Sequence, residues 1–140
     1  MIQKGGHTMR RNQKGFTLVE IMIVVAIIAL LAAIAIPNLL RARISANDAL
    51  SKSTLRTLST ASETFATANT GNYPSEISSL TGATPPYINK AYCNSTVSGF
   101  AYTCNWNLGY YTFTGTPVTI GTSGTTTFTI TTGGVLTPPS

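Results

Sequence analysis

The stretch KGFTLVEIMIVVAIIALLAAIAIP, Lys14 to Pro37, decides the fold. Ile21 to Ile36 is sixteen apolar residues in succession, and Phe16 to Leu40 is twenty-five residues with one charge, Glu20. About 20 apolar residues cross a bilayer as a helix, so the run is long enough to span. A secretory signal peptide also has a basic start and small residues such as Ala32, Ala33 and Ala35. Its apolar part is shorter, however, at about 7 to 15 residues, and a carboxylate near its head is out of place. A charge at mid-membrane costs about 2.5 to 3.5 kcal/mol on insertion scales, so Glu20 asks for a partner. Arg41, Arg43, Lys52 and Arg56 follow the run and nearly balance the basic residues before it, so the positive-inside rule alone does not orient it.

Working outward, the helical pattern continues past the apolar run. Leu50, Thr54, Leu58, Ala61, Phe65 and Ala68 step by three or four, with Lys52, Arg56 and Glu63 off that stripe. One helix is expected from about Phe16 to Ala68, roughly 80 Å at 1.5 Å per residue. Pro37 removes a backbone hydrogen bond and is expected to kink the helix without ending it. Gly71 is placed to cap it, and Pro74 follows. Tyr73 to Tyr87 reads as loop with one helical turn around Ser75 to Leu80. Gly109 to Thr114, Pro117 to Ile120 and Thr125 to Thr131 alternate Thr with larger apolar residues between glycine turns, which predicts an antiparallel meander of three or four strands. So short a sheet needs an apolar partner, and the helix stripe supplies it. Tyr102, Trp106, Tyr111, Phe113 and Phe128 are expected in the core. The fold class is α+β: a long N-terminal helix, transmembrane in its first half and amphipathic in its second, packed on a small C-terminal antiparallel sheet.

Charge and cysteine content exclude most chemistry. The formal charge is +5, but Lys4, Arg10, Arg11 and Lys14 lie ahead of the apolar run, and the side chains from Phe16 onward carry only +1. Nucleic acid is not an expected partner, because phosphate binding needs a basic face on the folded part. Ala91 to Ser140 contains no Asp, Glu, Lys, Arg or His, and His7 is the sole histidine. General acid/base groups and metal-ligand clusters are therefore lacking there, and the reading is a non-enzymatic protein with no metal and no cofactor. Cys93 and Cys104 are too few for a metal site and not spaced as a redox CxxC pair. They read as a disulfide, with free thiols the alternative, and a disulfide implies an oxidising compartment. Asn94-Ser95-Thr96 matches a glycosylation sequon, a pattern of low specificity.

KGFTLVE, the apolar run and Pro37 together resemble the N-terminus of the type IV pilin and type II secretion pseudopilin family. The likeness is specific over Lys14 to Pro37, supportive through ATANTGNYP to Pro74, and only architectural in the strands. It implies cleavage by a prepilin peptidase between Gly15 and Phe16 and N-methylation of Phe16. Glu20 matches the family's glutamate and would meet the new amine of Phe16 on a neighbouring subunit. If Met9 is the true start, the leader is the short basic MRRNQKG. The implied division is a cytoplasmic leader over 1–15, a transmembrane and filament-core helix over 16–40, its amphipathic continuation over 41–70, and a loop plus β head over 71–140. The implied function is a structural subunit of a type IV pilus-type filament, self-assembling as a homo- or hetero-oligomer with other pilin-like subunits. Prepilin peptidase, inner-membrane assembly machinery and the membrane are its other expected partners. The chain would sit in the bacterial inner membrane with its head exported, then in a periplasmic or cell-surface filament. A type II secretion pseudopilin is the alternative, although nothing acidic follows Glu76 to form the calcium site typical of major pseudopilins. A single-pass anchor displaying an adhesive β domain is the second alternative.

Overall fold

The computed structural model describes residue 1 and residues 15–138; the leader over 2–14, including the alternative start at Met9, lies outside the described residues. Two helices and five strands follow in order: α1 Leu18–Ala68, α2 Ile77–Thr81, β1 Ser95–Val97, β2 Phe100–Asn107, β3 Tyr110–Pro117, β4 Phe128–Thr131 and β5 Val135–Thr137. The chain forms two compact units, one to Pro37 and one from Asn38.

The first unit is the front of α1. Its Ile and Val residues are ordinary-to-poor helix formers in water, but in lipid only a helix satisfies every backbone group within the segment. The most apolar 18-residue window of α1 has a mean hydropathy of 3.0 with 0% of it buried. Pro37 lies inside α1 and cannot donate to the carbonyl of Ala33.

In the second unit the rest of α1 packs on the sheet. The sheet is one antiparallel meander in the order β1-β2-β3-β4-β5. Tyr102 pairs with Gly115, Cys104 with Phe113, Phe113 with Ile130, and Gly115 with Phe128. Because strand side chains alternate faces, these residues share the inner face, and Phe100, Tyr111, Phe113 and Ile130 are fully buried there. Leu55, Leu58 and Leu80 meet them, each worth about 1.5 to 3 kcal/mol when fully buried. The helix side of this interface is mostly small: Ser51, Ser59, Ala61, Ser62 and Ala66 are buried. Gly115 completes the close approach, since a Cβ there would lie 2.7 Å from the Ser51 hydroxyl. Ser98 and Gly99 take φ of 50° and 79° between β1 and β2, the conformation a two-residue hairpin turn requires.

Several boundaries differ from the sequence reading. The sheet has five strands rather than three or four, and β2 occupies the cysteine-containing stretch, with Phe100, Tyr102, Cys104 and Trp106 at a period of two. Pro117 to Ile120 is not a strand. After β3 ends at Pro117 the chain curls, with the carbonyl of Thr119 accepting from the amides of Thr122 and Ser123. The expected strand over Thr125 to Thr131 begins only at Phe128, because Asp48 draws Thr125 out of line: its carboxylate accepts from the Thr125 amide at 3.0 Å and hydroxyl at 2.6 Å. On α1, Leu50 is 44% exposed, while Leu55, off the expected stripe, is fully buried. Ala68 is also exposed, and Trp106 is half-buried at the core's edge. Gly71 adopts φ of 88° and donates to the carbonyl of Ala66 at 2.8 Å, closing the end of α1 as expected.

Glu63 is also more than a solvated charge. Its carboxylate accepts from the Tyr111 hydroxyl at 2.8 Å, the Tyr73 hydroxyl at 3.0 Å and the Gly133 amide at 2.9 Å. Burial works to raise its pKa, but these three donors outweigh it and hold the carboxyl below its ordinary range. Burial first, then the facing carboxylate, pushes the Tyr111 phenol up to about 12, against a lowering by Ser59. The depressed Glu63 adds stability above its unfolded value, lost as pH falls through the folded one; the raised Tyr111 adds stability below its unfolded value, lost as pH rises through about 12. Denaturation followed by Trp106 fluorescence should therefore show a stability plateau falling off below pH 4.5 and above pH 10, the two groups' ordinary values. Glu63→Gln should lower the plateau by about 1.5 to 3 kcal/mol, the worth of hydrogen bonds to a charged group, and flatten the acid limb. An unchanged acid limb would show that Glu63 does not clamp the sheet.

Candidate N-terminal processing and assembly site

Gly15, Phe16 and Thr17 precede α1 in non-helical backbone. Nothing lies within 4 Å of a Cβ built on Gly15, and Phe16 is 85% exposed. Among the described residues, nothing covers either side chain position.

Thr17 and Glu20 then form a reciprocal cap. The Thr17 hydroxyl accepts from the Glu20 amide at 3.2 Å, while Glu20 Oε2 accepts from the Thr17 amide at 2.7 Å and the Thr17 hydroxyl at 2.8 Å. This is the capping box that the spacing Thr-x-x-Glu encodes, and it places a negative charge at the positive end of the helix dipole. The spacing of TLVE alone encodes this box, and it gives Glu20 a hydrogen-bonding partner within its own chain. One oxygen is committed to the cap. Among the described residues Oε1 accepts nothing, and the side chain is exposed. Phe16, Glu20, Ile21, Ile23 and Val24 line a shallow apolar recess around it.

The remaining positions singled out in the sequence lie elsewhere in the chain. Pro37 is in α1, where the two units meet in sequence. Cys93 and Cys104 are joined as a disulfide with Cα atoms 5.5 Å apart, tying the loop before β1 to β2. Of these positions, the described residues bring Phe16 and Glu20 together around one recess, and Thr17, which the sequence reading did not single out, joins them.

The geometry defines a class: among the described residues, one helix long and apolar enough to cross a membrane, capped at an acidic first turn and followed by a small β head. Residues 10–36 match the prokaryotic N-terminal methylation motif. The chain is 71% identical over 38 residues to the type IV wide pilus major component PilA4 of Thermus thermophilus, covering 27% of this chain and 29% of that protein. It is 50% identical over 54 residues to the type IV major pilin protein PilA of Myxococcus xanthus, covering 39% and 24%. It is 73% identical over 30 residues to the type IV major fimbrial protein FimA of Dichelobacter nodosus, covering 21% and 19%. The chain therefore spans less than a third of the length of these relatives. No solved structure matches. Over its N-terminal segment the chain is similar to type IV pilins.

The cap can be tested alone. Thr17→Ala should cost the first turn about 1 kcal/mol, seen as roughly fivefold faster amide exchange at Glu20 and Ile21 in detergent, with exchange in the β head unchanged. Unchanged exchange at the first turn would show that Thr17 does not cap α1.

Proposed function

We propose that this chain is a structural subunit of a type IV pilus-type filament, cut between Gly15 and Phe16, methylated at Phe16, and assembled through the front of α1. The observation that carries the reading is the exposed apolar front of α1 with one carboxylate near its tip, beside a methylation motif over residues 10–36. Ile21, Val24, Ile28 and Leu31 are each 50% exposed or more, a surface that water does not tolerate and that lipid or neighbouring helices cover. The pilus subunits to which the chain is similar support a structural, non-enzymatic role.

In this proposal residues 1–15 are the leader that cleavage removes, 16–40 serve first as membrane anchor and then as filament core, 41–70 support the head, and 71–140 form its outward surface. Cleavage turns the Phe16 amide into an amine, and methylation leaves it protonatable. Glu20 Oε1, unused by the cap, is then the acceptor for the Phe16 amine of an adjacent subunit. A buried pair of this kind fixes register more than it adds stability.

Intact-mass measurement on membrane-purified protein should give a chain beginning at methylated Phe16. A start after Ala33 or Ala35 would indicate ordinary signal peptidase and remove the filament reading.

Glu20→Gln separates the two roles of the carboxylate. Glutamine at this position keeps the capping bond but removes the charge. Processing should survive and filaments in sheared surface fractions should be lost or sharply reduced, because an uncompensated buried amine costs about 3 to 5 kcal/mol. Normal filament yield from Glu20→Gln would show that capping, not charge pairing, is what the carboxylate supplies.

A further inference from the structure

We propose that, before assembly, one end of the β head rests on an anionic lipid surface through Val118, Ile120 and Arg43. The proposal rests on the reading that the front of α1 spans a bilayer. Val118 and Ile120 are 63% and 71% exposed, and they stand on a turn that holds them fixed. The Val118 amide donates to the Gly99 carbonyl at 2.9 Å, the Gly121 amide to the Gly124 carbonyl at 2.8 Å, and the Ser123 amide to the Thr119 carbonyl at 2.9 Å. The Asn47 side chain ties the turn to α1 through the Ser123 carbonyl at 2.9 Å. A rigid turn presenting two apolar side chains to water lowers the entropic cost of inserting them into an interface.

Three observations choose lipid as the occupant. First, the turn shares a crevice with the beginning of the second unit: Leu40, Arg43, Thr122 and Ser123 line it together. Leu40 closes the apolar run, whose helical part from Leu18 rises about 34 Å against a hydrocarbon core of about 30 Å, so this level of the helix falls in the headgroup layer. Second, the charges there suit phosphate. Arg41 and Arg43 are exposed, and the carboxylate at this end, Asp48, is already engaged by Thr125. Third, apolar side chains beside arginine at headgroup depth reproduce the composition of interfacial anchors. The surface is also continuous along the chain with the membrane span.

The test uses the full chain, one copy per nanodisc, in phosphatidylglycerol and phosphatidylethanolamine. The native cysteines are bonded to each other and none is free, so single cysteines at Val25, Leu108 and Ile120 can each take one fluorophore. Leu108 is the reference because β2 and β3 pair from Phe100 with Pro117 at one end to Asn107 with Tyr110 at the other, which puts the Leu108 turn at the far end of the sheet. Nitroxides in the lipid headgroups should quench the Ile120 probe and leave the Leu108 probe unquenched, while acyl-chain nitroxides quench Val25. Arg43→Gln should lower the bound-to-free ratio at Ile120 about fivefold, the worth of one basic residue near an anionic surface. Equal quenching at Ile120 and Leu108, with Val25 quenched, overturns this proposal and leaves the anchor standing. An unquenched Val25 overturns both. Quenching at Ile120 that is indifferent to Arg43→Gln and to replacement of the anionic lipid overturns the anionic character of the contact.

Discussion

The 51-residue helix α1 has to live in two surroundings, and this constraint shapes the rest of the molecule. Its front is apolar on every side, whereas from Ser51 onward burial is confined to one stripe. A helix apolar all round needs cover all round, and one with a stripe needs cover on one face. The chain meets the second need itself, with the five-stranded sheet. It does not meet the first, since the hydropathic window lies entirely uncovered. Lipid and the helices of other subunits are the two covers that would serve, and exchanging one for the other costs little hydrophobic free energy because both are apolar. In the proposed assembly, polar features near the tip of α1, the Thr17 cap and the spare oxygen of Glu20, would carry the direction that apolar contact lacks.

The head is small, and its stability depends on close approach rather than on bulk. Ser51, Ser59 and Ser62 are buried on α1 where larger residues would hold the sheet away. Ser62 returns its hydroxyl to the Leu58 carbonyl at 2.9 Å and Ser59 shares a hydrogen with Tyr111 at 2.7 Å, so neither is left unsatisfied. Tyr111 links most of the core: its ring stacks on Phe113 with centroids 4.7 Å apart, Tyr73 meets it edge-on at 5.1 Å, and its hydroxyl reaches Glu63.

How far the sequence could be read follows from how local each cause is. The extent of α1 was legible to within two residues because its determinants, apolar run, helical stripe and Gly71, act within one or two turns. The aromatic core was legible from the period-two pattern, and β2 carries the same signal in the alternation of Phe100, Tyr102, Cys104 and Trp106. Two features were not legible. Thr125 leaves the strand because of Asp48, 77 residues away, and Glu63 turns inward because of Gly133, 70 residues away. Neither partner has a signature in its own neighbourhood. At the N-terminus the opposite happened: the capping box was fully local, but a carboxylate in an apolar run draws attention to its charge before its hydrogen bonds.

Those two distant contacts share a chemical logic. From Ala91 onward the chain has no Asp, Glu, Lys, Arg or His, so the sheet offers no side-chain ion pair with which to hold the helix. Instead α1 supplies both charges, and the head answers with backbone amides and hydroxyls. Asp48 takes the amide of Thr125 and Glu63 takes the amide of Gly133. The carboxylates are 15 residues apart, about four helical turns and 22 Å along α1, so the sheet is pinned near both ends of the helix that crosses it. Hydrogen bonds from backbone amides to carboxylates are charge-assisted, about twice as strong as neutral ones. They also belong to the path of the loop rather than to any one side chain. Gly133 and Gly134, with φ of 80° and 75°, are what that path demands at the β4–β5 turn. The outer face of the sheet is left free to change its side chains without loosening the grip of α1.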